Sequence, residues 1–311
     1  MRVLVAGATG VIGRPLVSQL LACGHEVIGL TRSDERAAAL RSRGAGAIVC
    51  DVFESERLRA AVAEARPEAV IDQLTDLPPV YDPRRYEEMT VPTNRLRSEG
   101  TPALVAAAEA AGAHRYLAQS LAFVYAPEGD WVKEEDAPLI SGAPPAVQSG
   151  VDAVRALEDA VLGAPGLEGI VLRYGQFYGP GTWFAADGSL ADQVRRRRFP
   201  VLGRGDGHFS FAHVEDAAAG TVAALEHGRP GVYNVCDDEP APMREWLPTY
   251  AEAVGAKPPR RVPVWLARLV GGPVAAGAAE MRGASNAKAR DELAWTPRWP
   301  SWREGFKVAL G

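Results

Sequence analysis

The sequence is poor in the residues that build disulfides, metal centres and nucleic-acid surfaces. Three cysteines, Cys23, Cys50 and Cys236, show no paired spacing. That excludes a disulfide framework and points to a reducing cytoplasm. Cys23 and Cys50 lie in apolar stretches, where small buried thiols are expected. His208 and His213 are five apart in a strand-like run, on opposite faces, so no shared metal is expected. Lys and Arg number 34 against 39 Asp and Glu, a net charge of −5, which argues against nucleic acid as a partner. No apolar run reaches the roughly 18 residues of a membrane helix, so no membrane partner is expected. The apolar N-terminus is broken at once by glycines, as in a strand and turn and unlike a signal peptide. One further gap is local. Between Ala126 and Leu172 there is no tyrosine, and the only lysine is Lys133.

What is present describes a globular chain of 311 residues, 47% hydrophobic and 23% charged. Short β-rich runs alternate with helical runs as far as Tyr174. "RVLVAG", "HEVIGL", "AIVCD", "AVIDQ", "RYLAQS" and "GIVLRY" read as strands rich in Val, Ile and Leu without alternation, as in a sheet covered on both faces. A proline-containing loop is expected from Leu77 to Pro92, then a helix near Thr93 to Ala111, and another from Gln148 to Gly163. The pattern predicts an α/β fold, a Rossmann-type doubly wound parallel sheet with a smaller, mostly helical C-terminal lobe. Residues 1–178 and 209–238 are assigned to the sheet domain, and 179–208 and 239–311 to the lobe.

Gly7-Ala8-Thr9-Gly10-Val11-Ile12-Gly13 joins the first strand to the first helix. Glycines there let the backbone approach a pyrophosphate, and the helix N-terminus presents free N–H groups. An NAD site places Asp or Glu about 20 residues further on, against the ribose 2′-hydroxyl. Here the place reads Thr31-Arg32-Ser33, where an arginine and two hydroxyls suit a 2′-phosphate. NADP(H) is therefore the expected cofactor. Asp51 and Val52 after the third strand, and Gln73 and Leu74 after the fourth, complete the expected rim.

The chain resembles the extended short-chain dehydrogenase/reductase family, the NAD(P)-dependent epimerases and dehydratases. "GATGVIG", "EGTPALVAAAEAAGAHRY", "VLRYGQFYGPGT", "FSFAHVEDAAAG" and "NAKARDELAWTPRWPSWREGF" carry the likeness, which covers nearly the whole chain. The resemblance implies a substrate cleft over the nicotinamide, packing of Tyr174 on the cofactor, and helix pairing into a homodimer. It also implies a Tyr-x-x-x-Lys pair, in which the tyrosine exchanges a proton with substrate and the lysine lowers its pKa. Glu158 matches the glutamate that follows the lysine by four. Counting back puts Val154 at the lysine and Gly150 at the tyrosine, so both catalytic groups are missing. Leu121 takes the usual hydroxyl position, with Ser120 beside it. The expectation is an NADP(H)-dependent oxidoreductase for a small, bulky or aromatic, carbonyl-type metabolite, with Ser120 or Tyr125 in the proton donor's place. A cofactor-retaining epimerase and a non-catalytic NADP-binding regulator are the alternatives.

Overall fold

The computed structural model describes residues 1–310. Seven strands make one sheet: β1 (Arg2–Ala6), β2 (Glu26–Thr31), β3 (Gly46–Val49), β4 (Ala69–Asp72), β5 (Arg115–Leu121), β6 (Glu168–Tyr174) and β7 (Gly231–Val235). All neighbours are parallel, in the order 3-2-1-4-5-6-7. The strand order reverses beside β1. Open α/β sheets bind ligands beyond the carboxyl ends of the strands at such a reversal, here those of β1 and β4.

Six helices belong to the first half of the chain: α1 (Gly13–Ala22), α2 (Asp34–Ser42), α3 (Ser55–Ala65), α4 (Tyr86–Arg95), α5 (Thr101–Ala110) and α6 (Pro145–Leu162). Six follow: α7 (Ser189–Arg195), α8 (Val214–His227), α9 (Met243–Ala253), α10 (Val264–Gly277), α11 (Ala287–Glu292) and α12 (Trp302–Leu310). Leu16, Val17 and Leu20 of α1 share one core with Ala217, Val222 and Leu225 of α8. Leu58 and Val62 of α3, Leu104 of α5 and Leu157 and Val161 of α6 fill the other face of the sheet. A separate core is aromatic, with Phe184, Phe211, Trp246, Tyr250, Trp302 and Phe306 in edge and tilted contacts. No helix among the described residues is long and apolar enough to cross a membrane.

Three details differ from the sequence reading. The helix expected from Thr93 begins at Tyr86, runs through Pro92, and joins α5 by a π-turn at Leu96–Gly100. Pro92 sits on the exposed side, while Met89, Thr90 and Thr93 anchor the inner face. The proline therefore removes one solvent-side hydrogen bond and leaves the packing intact. Cys23 is exposed, because it follows α1 as its C-cap; Cys50 and Cys236 are buried. The run around His208 forms two short strands. His208–Phe209 pairs with Ala241–Pro242, and Phe211–His213 lies parallel to Gln176–Tyr178.

Candidate active site

The four segments expected to hold a dinucleotide meet at one rim, because β1 to β4 end there side by side. Gly7 adopts φ +80°, and a Cβ on it would lie 2.5 Å from the Gln73 carbonyl oxygen. A Cβ on Gly13 would lie 2.1 Å from the Gly7 carbonyl oxygen. Side chains at either position would close the approach. Helix α1 has no side-chain cap and no acid in its first turn, so the N–H groups of Val11, Ile12 and Gly13 face the rim with the helix dipole behind them. The Thr9 carbonyl is held by Arg14 Nε at 3.0 Å, and Gly10 N–H closes the turn on the Gly7 carbonyl. The buried Gln73 side chain donates to Tyr174, but its Oε1 has no partner among the described residues. An orphaned acceptor beside a glycine cradle and an uncapped helix fits a nicotinamide dinucleotide.

At the end of β2, Thr31 is buried and its hydroxyl accepts from Ser33 N–H at 3.4 Å. Ser33 caps α2 through Arg36 N–H. Arg32 is exposed, and its guanidinium approaches Asp76 at 3.5 Å. One Asp51 oxygen accepts from Phe53 N–H, and Leu74 N–H donates to Asp72. The Val52 side chain packs in the core against the π-turn, leaving its backbone for the rim.

Tyr174 lies beneath the rim. Its hydroxyl lies 2.6 Å from Thr221 Oγ1 and accepts from Gln73 Nε2 at 3.1 Å, and the ring is 1% exposed. Burial pushes its pKa up to about 12. The phenol is engaged beneath the rim and offers no hydroxyl to a cofactor.

The two candidate proton donors are engaged as well. Ser120 is wholly buried and donates to Glu158 Oε1 at 2.7 Å. Glu158 in turn takes a bidentate pair of bonds from Arg173, at 2.8 and 2.7 Å, with both side chains sealed from water. Tyr125 donates to Asn234 Oδ1 at 2.7 Å and accepts from Arg173 Nη1 at 3.0 Å. Burial raises its pKa to about 12. These groups form a buried network tying α6 to β5, β6 and β7. The Ser120 and Tyr125 hydroxyls are each already hydrogen-bonded and buried in the network.

On α6, Gly150 is half-buried and Val154 fully buried. Val154 forms an apolar cluster with Val124 and Val151, bordered by Leu121, Leu139, Ile140 and Val147. A Cβ on Gly150 would have open space, its nearest neighbour being Asn94 Oδ1 at 4.0 Å. That oxygen is buried and unpartnered among the described residues. Asn94 was not singled out from sequence, nor was Arg97, three residues on. Arg97 is buried in the π-turn, with its pKa lowered to about 10 by loss of water despite the nearby Tyr86 and Asp72. A polar pair at helical spacing within an inward stripe is the signal that marks them.

Trp183 donates from Nε1 to the Pro78 carbonyl and stacks obliquely on Tyr81. Ser189 and Gln193 of α7 hold the Tyr81 backbone. The loop after β4 is thereby fastened to the aromatic core. Phe184 is buried within that core. Arg195 bonds the Val254 and Ala186 carbonyls, and Arg196 pairs with Asp192, so these two arginines serve local packing.

Comparison with known proteins gives the site its context. The profile of the NAD dependent epimerase/dehydratase family matches residues 3–236. The chain is 48% identical over 310 residues to a 3-diazoavenalumate denitrifying reductase of Streptomyces sp, covering 98% of this chain and 99% of the relative. It is 30% identical over 263 residues to a 4-hydroxy-2-methyl-3-oxo-4-farnesyl-3,4-dihydroquinoline-1-oxide ketoreductase of Stigmatella aurantiaca, covering 83% and 74%. Among solved structures, a dTDP-glucose 4,6-dehydratase from Streptomyces venezuelae aligns over 100% of this chain and 96% of its own, with a TM-score of 0.77 at 20% identity. A UDP-glucose 4-epimerase from Thermus thermophilus, in complex with NAD, aligns over 100% and 98% with a TM-score of 0.71 at 25% identity. The fold and the reductase relatives describe an enzyme that uses a nicotinamide cofactor, and the chain belongs to the NAD-dependent epimerase/dehydratase family.

Proposed function

We propose that this chain is an NADP(H)-dependent reductase that replaces the diazo group of an aromatic compound by hydrogen, with release of dinitrogen. The observation that carries the reading is the apolar cluster of Val154 beside the open space at Gly150, where no phenol and no amine stand. Reduction of a carbonyl adds a hydride and a proton, and the proton needs a donor. Reduction of an aryl diazonium is different. One C–H bond forms, the C–N bond breaks with its electron pair leaving on N2, and no proton is consumed. The bound nicotinamide supplies the hydride.

The chain's residues suit that reaction by what they withhold. An ammonium at position 154 would repel a cationic diazonium group, whereas Val154, Val151 and Val124 form a neutral, buried apolar cluster there. Asn94 Oδ1 presents an oxygen acceptor beside the same gap, of the polarity that attracts a cation. Ser120 and Tyr125, the groups that could have donated a proton, are used in the network around Arg173. A cofactor-retaining epimerase is disfavoured for the same reason, since reversible oxidation of an alcohol must remove and return the hydroxyl proton. The relative at 48% identity bears the name of a denitrifying reductase acting on a diazo compound, which supports the reading.

The preference for NADP(H) rests on Arg32. It stands exposed at the end of β2, and its contact with Asp76 is long and solvent-screened, so a 2′-phosphate can take the carboxylate's place. The test is a panel of substrates with NADPH under anaerobic conditions. An aryl diazonium acid should be reduced, and ketones should show no oxidation of NADPH above background. Ketone turnover without any diazonium reduction would overturn the proposal.

A further inference from the structure

Arg282 is a buried charge outside the site described above. It is only 9% exposed, yet no carboxylate among the described residues lies within salt-bridge distance of it. Its Nε is buried with no partner, and its one hydrogen bond runs from Nη1 to the Glu280 carbonyl at 3.2 Å. Glu280 and Glu128, the acids whose charges reach it, are both exposed. Arg173, by contrast, is paired with Glu158. A buried guanidinium N–H without a partner is costly, so such a group is retained where a ligand brings an acceptor.

Its surroundings name the ligand's other half. The guanidinium lies over the ring of Trp131, 3.8 Å from the centroid. His208 stacks on the same indole at 5.0 Å and 28°. His208 Nδ1 lies 2.7 Å from the Asp206 carbonyl, and burial together with the charges of Arg244 and Arg282 lowers its pKa, keeping the ring neutral. Trp131 remains partly exposed, so part of its indole is open to a further ring. The position is suitable as well. Residues Gly283–Ala284 pair with Val132–Lys133, and Ala284 packs on Ala122, just beyond the carboxyl end of β5. Arg282 therefore lies on the segment that runs beside the carboxyl end of β5.

We propose that Arg282 and Trp131 form a subsite for the carboxylate of an aromatic acid. The carboxylate accepts from the guanidinium fork while the conjugated ring lies along the indole. The inference rests on the reductase reading for the location of the reacting end, but it concerns binding and needs no turnover.

The test uses unreactive probes. Binding of cinnamate, methyl cinnamate and phenyl phosphate to the NADPH-saturated protein is measured by calorimetry, for the native chain, Arg282→Gln and Arg282→Lys. Cinnamate should bind at least about tenfold tighter than its ester, as expected for a charge-assisted pair. Arg282→Gln should abolish that preference with NADPH affinity unchanged, and Arg282→Lys should keep part of it. Equal affinity of the native chain for acid and ester would overturn the proposal even if the glutamine variant failed to fold. So would a preference for the acid that survives in Arg282→Gln, and phenyl phosphate binding well above cinnamate would reassign the subsite to phosphate. Loss of the acid preference while an aryl diazonium acid is still reduced would remove this subsite alone. Acid binding without any diazonium reduction would remove the reductase reading alone.

Discussion

Replacing Glu158 by Gln tests whether the polar cluster on α6 is structural. Glu158 and Arg173 have side-chain exposures of 7% and 6% and share two hydrogen bonds, at 2.8 and 2.7 Å. The substitution keeps shape and one acceptor but leaves the Arg173 cation buried without its counter-charge. Breaking such a pair costs about 3–5 kcal/mol. With roughly 2.1 cal/mol/K of unfolding entropy per residue, a chain of this length should lose about 5–8 °C in Tm. Calorimetry of the apoprotein measures this, and a parallel NADPH titration should show unchanged affinity, since the pair lies below the rim. A loss under about 1 kcal/mol would refute the reasoning, because the charge would then be compensated elsewhere. A large loss of NADPH affinity at unchanged Tm would show that Glu158 serves the cofactor.

Other outcomes follow from the same geometry. Ser120→Ala removes one hydrogen bond to Glu158, so it should cost about 1 kcal/mol of stability and leave kcat/KM for a diazonium substrate within about threefold. Arg32→Asp should weaken NADPH by about 10–100-fold and narrow or reverse the preference over NADH, measured by fluorescence titration. Gly7→Ala should abolish cofactor binding, because its Cβ would meet the Gln73 carbonyl at 2.5 Å in a left-handed backbone. His213 caps α8 through Glu215 N–H and lies against Trp299; burial lowers its pKa to about 4. The unfolded chain then binds more protons between about pH 6.5 and 4, so stability should fall as pH drops through that window, by up to about 3 kcal/mol. His213→Asn keeps a capping acceptor and should flatten that part of the stability–pH curve.

The parts legible in the sequence were those written locally. The Gly7–Gly13 turn, the uncapped start of α1 and the rhythm of strands and helices depend on neighbours a few residues apart. The hydrogen-bonding roles of Ser120, Tyr125 and Tyr174 were not legible. Ser120 meets Glu158 across 38 residues, and Tyr125 meets Asn234 across 109, so no spacing rule could show their hydroxyls already satisfied. Pro92 misled for another reason. A proline reads as a break, yet the inner face of α4 holds the helix together around it. Arg282 carried no local signal because its isolation depends on which acids fail to reach it.

In the proposed reaction the substrate is reduced without a proton relay because dinitrogen leaves. Dinitrogen released per NADPH oxidised, measured by gas analysis for the native chain and for the Ser120→Ala, Tyr125→Phe double variant, tests it most directly. One N2 per NADPH in both, at rates within about threefold when corrected for folded protein, is the predicted result. NADPH oxidation without N2, or loss of N2 release in a folded double variant, would contradict it.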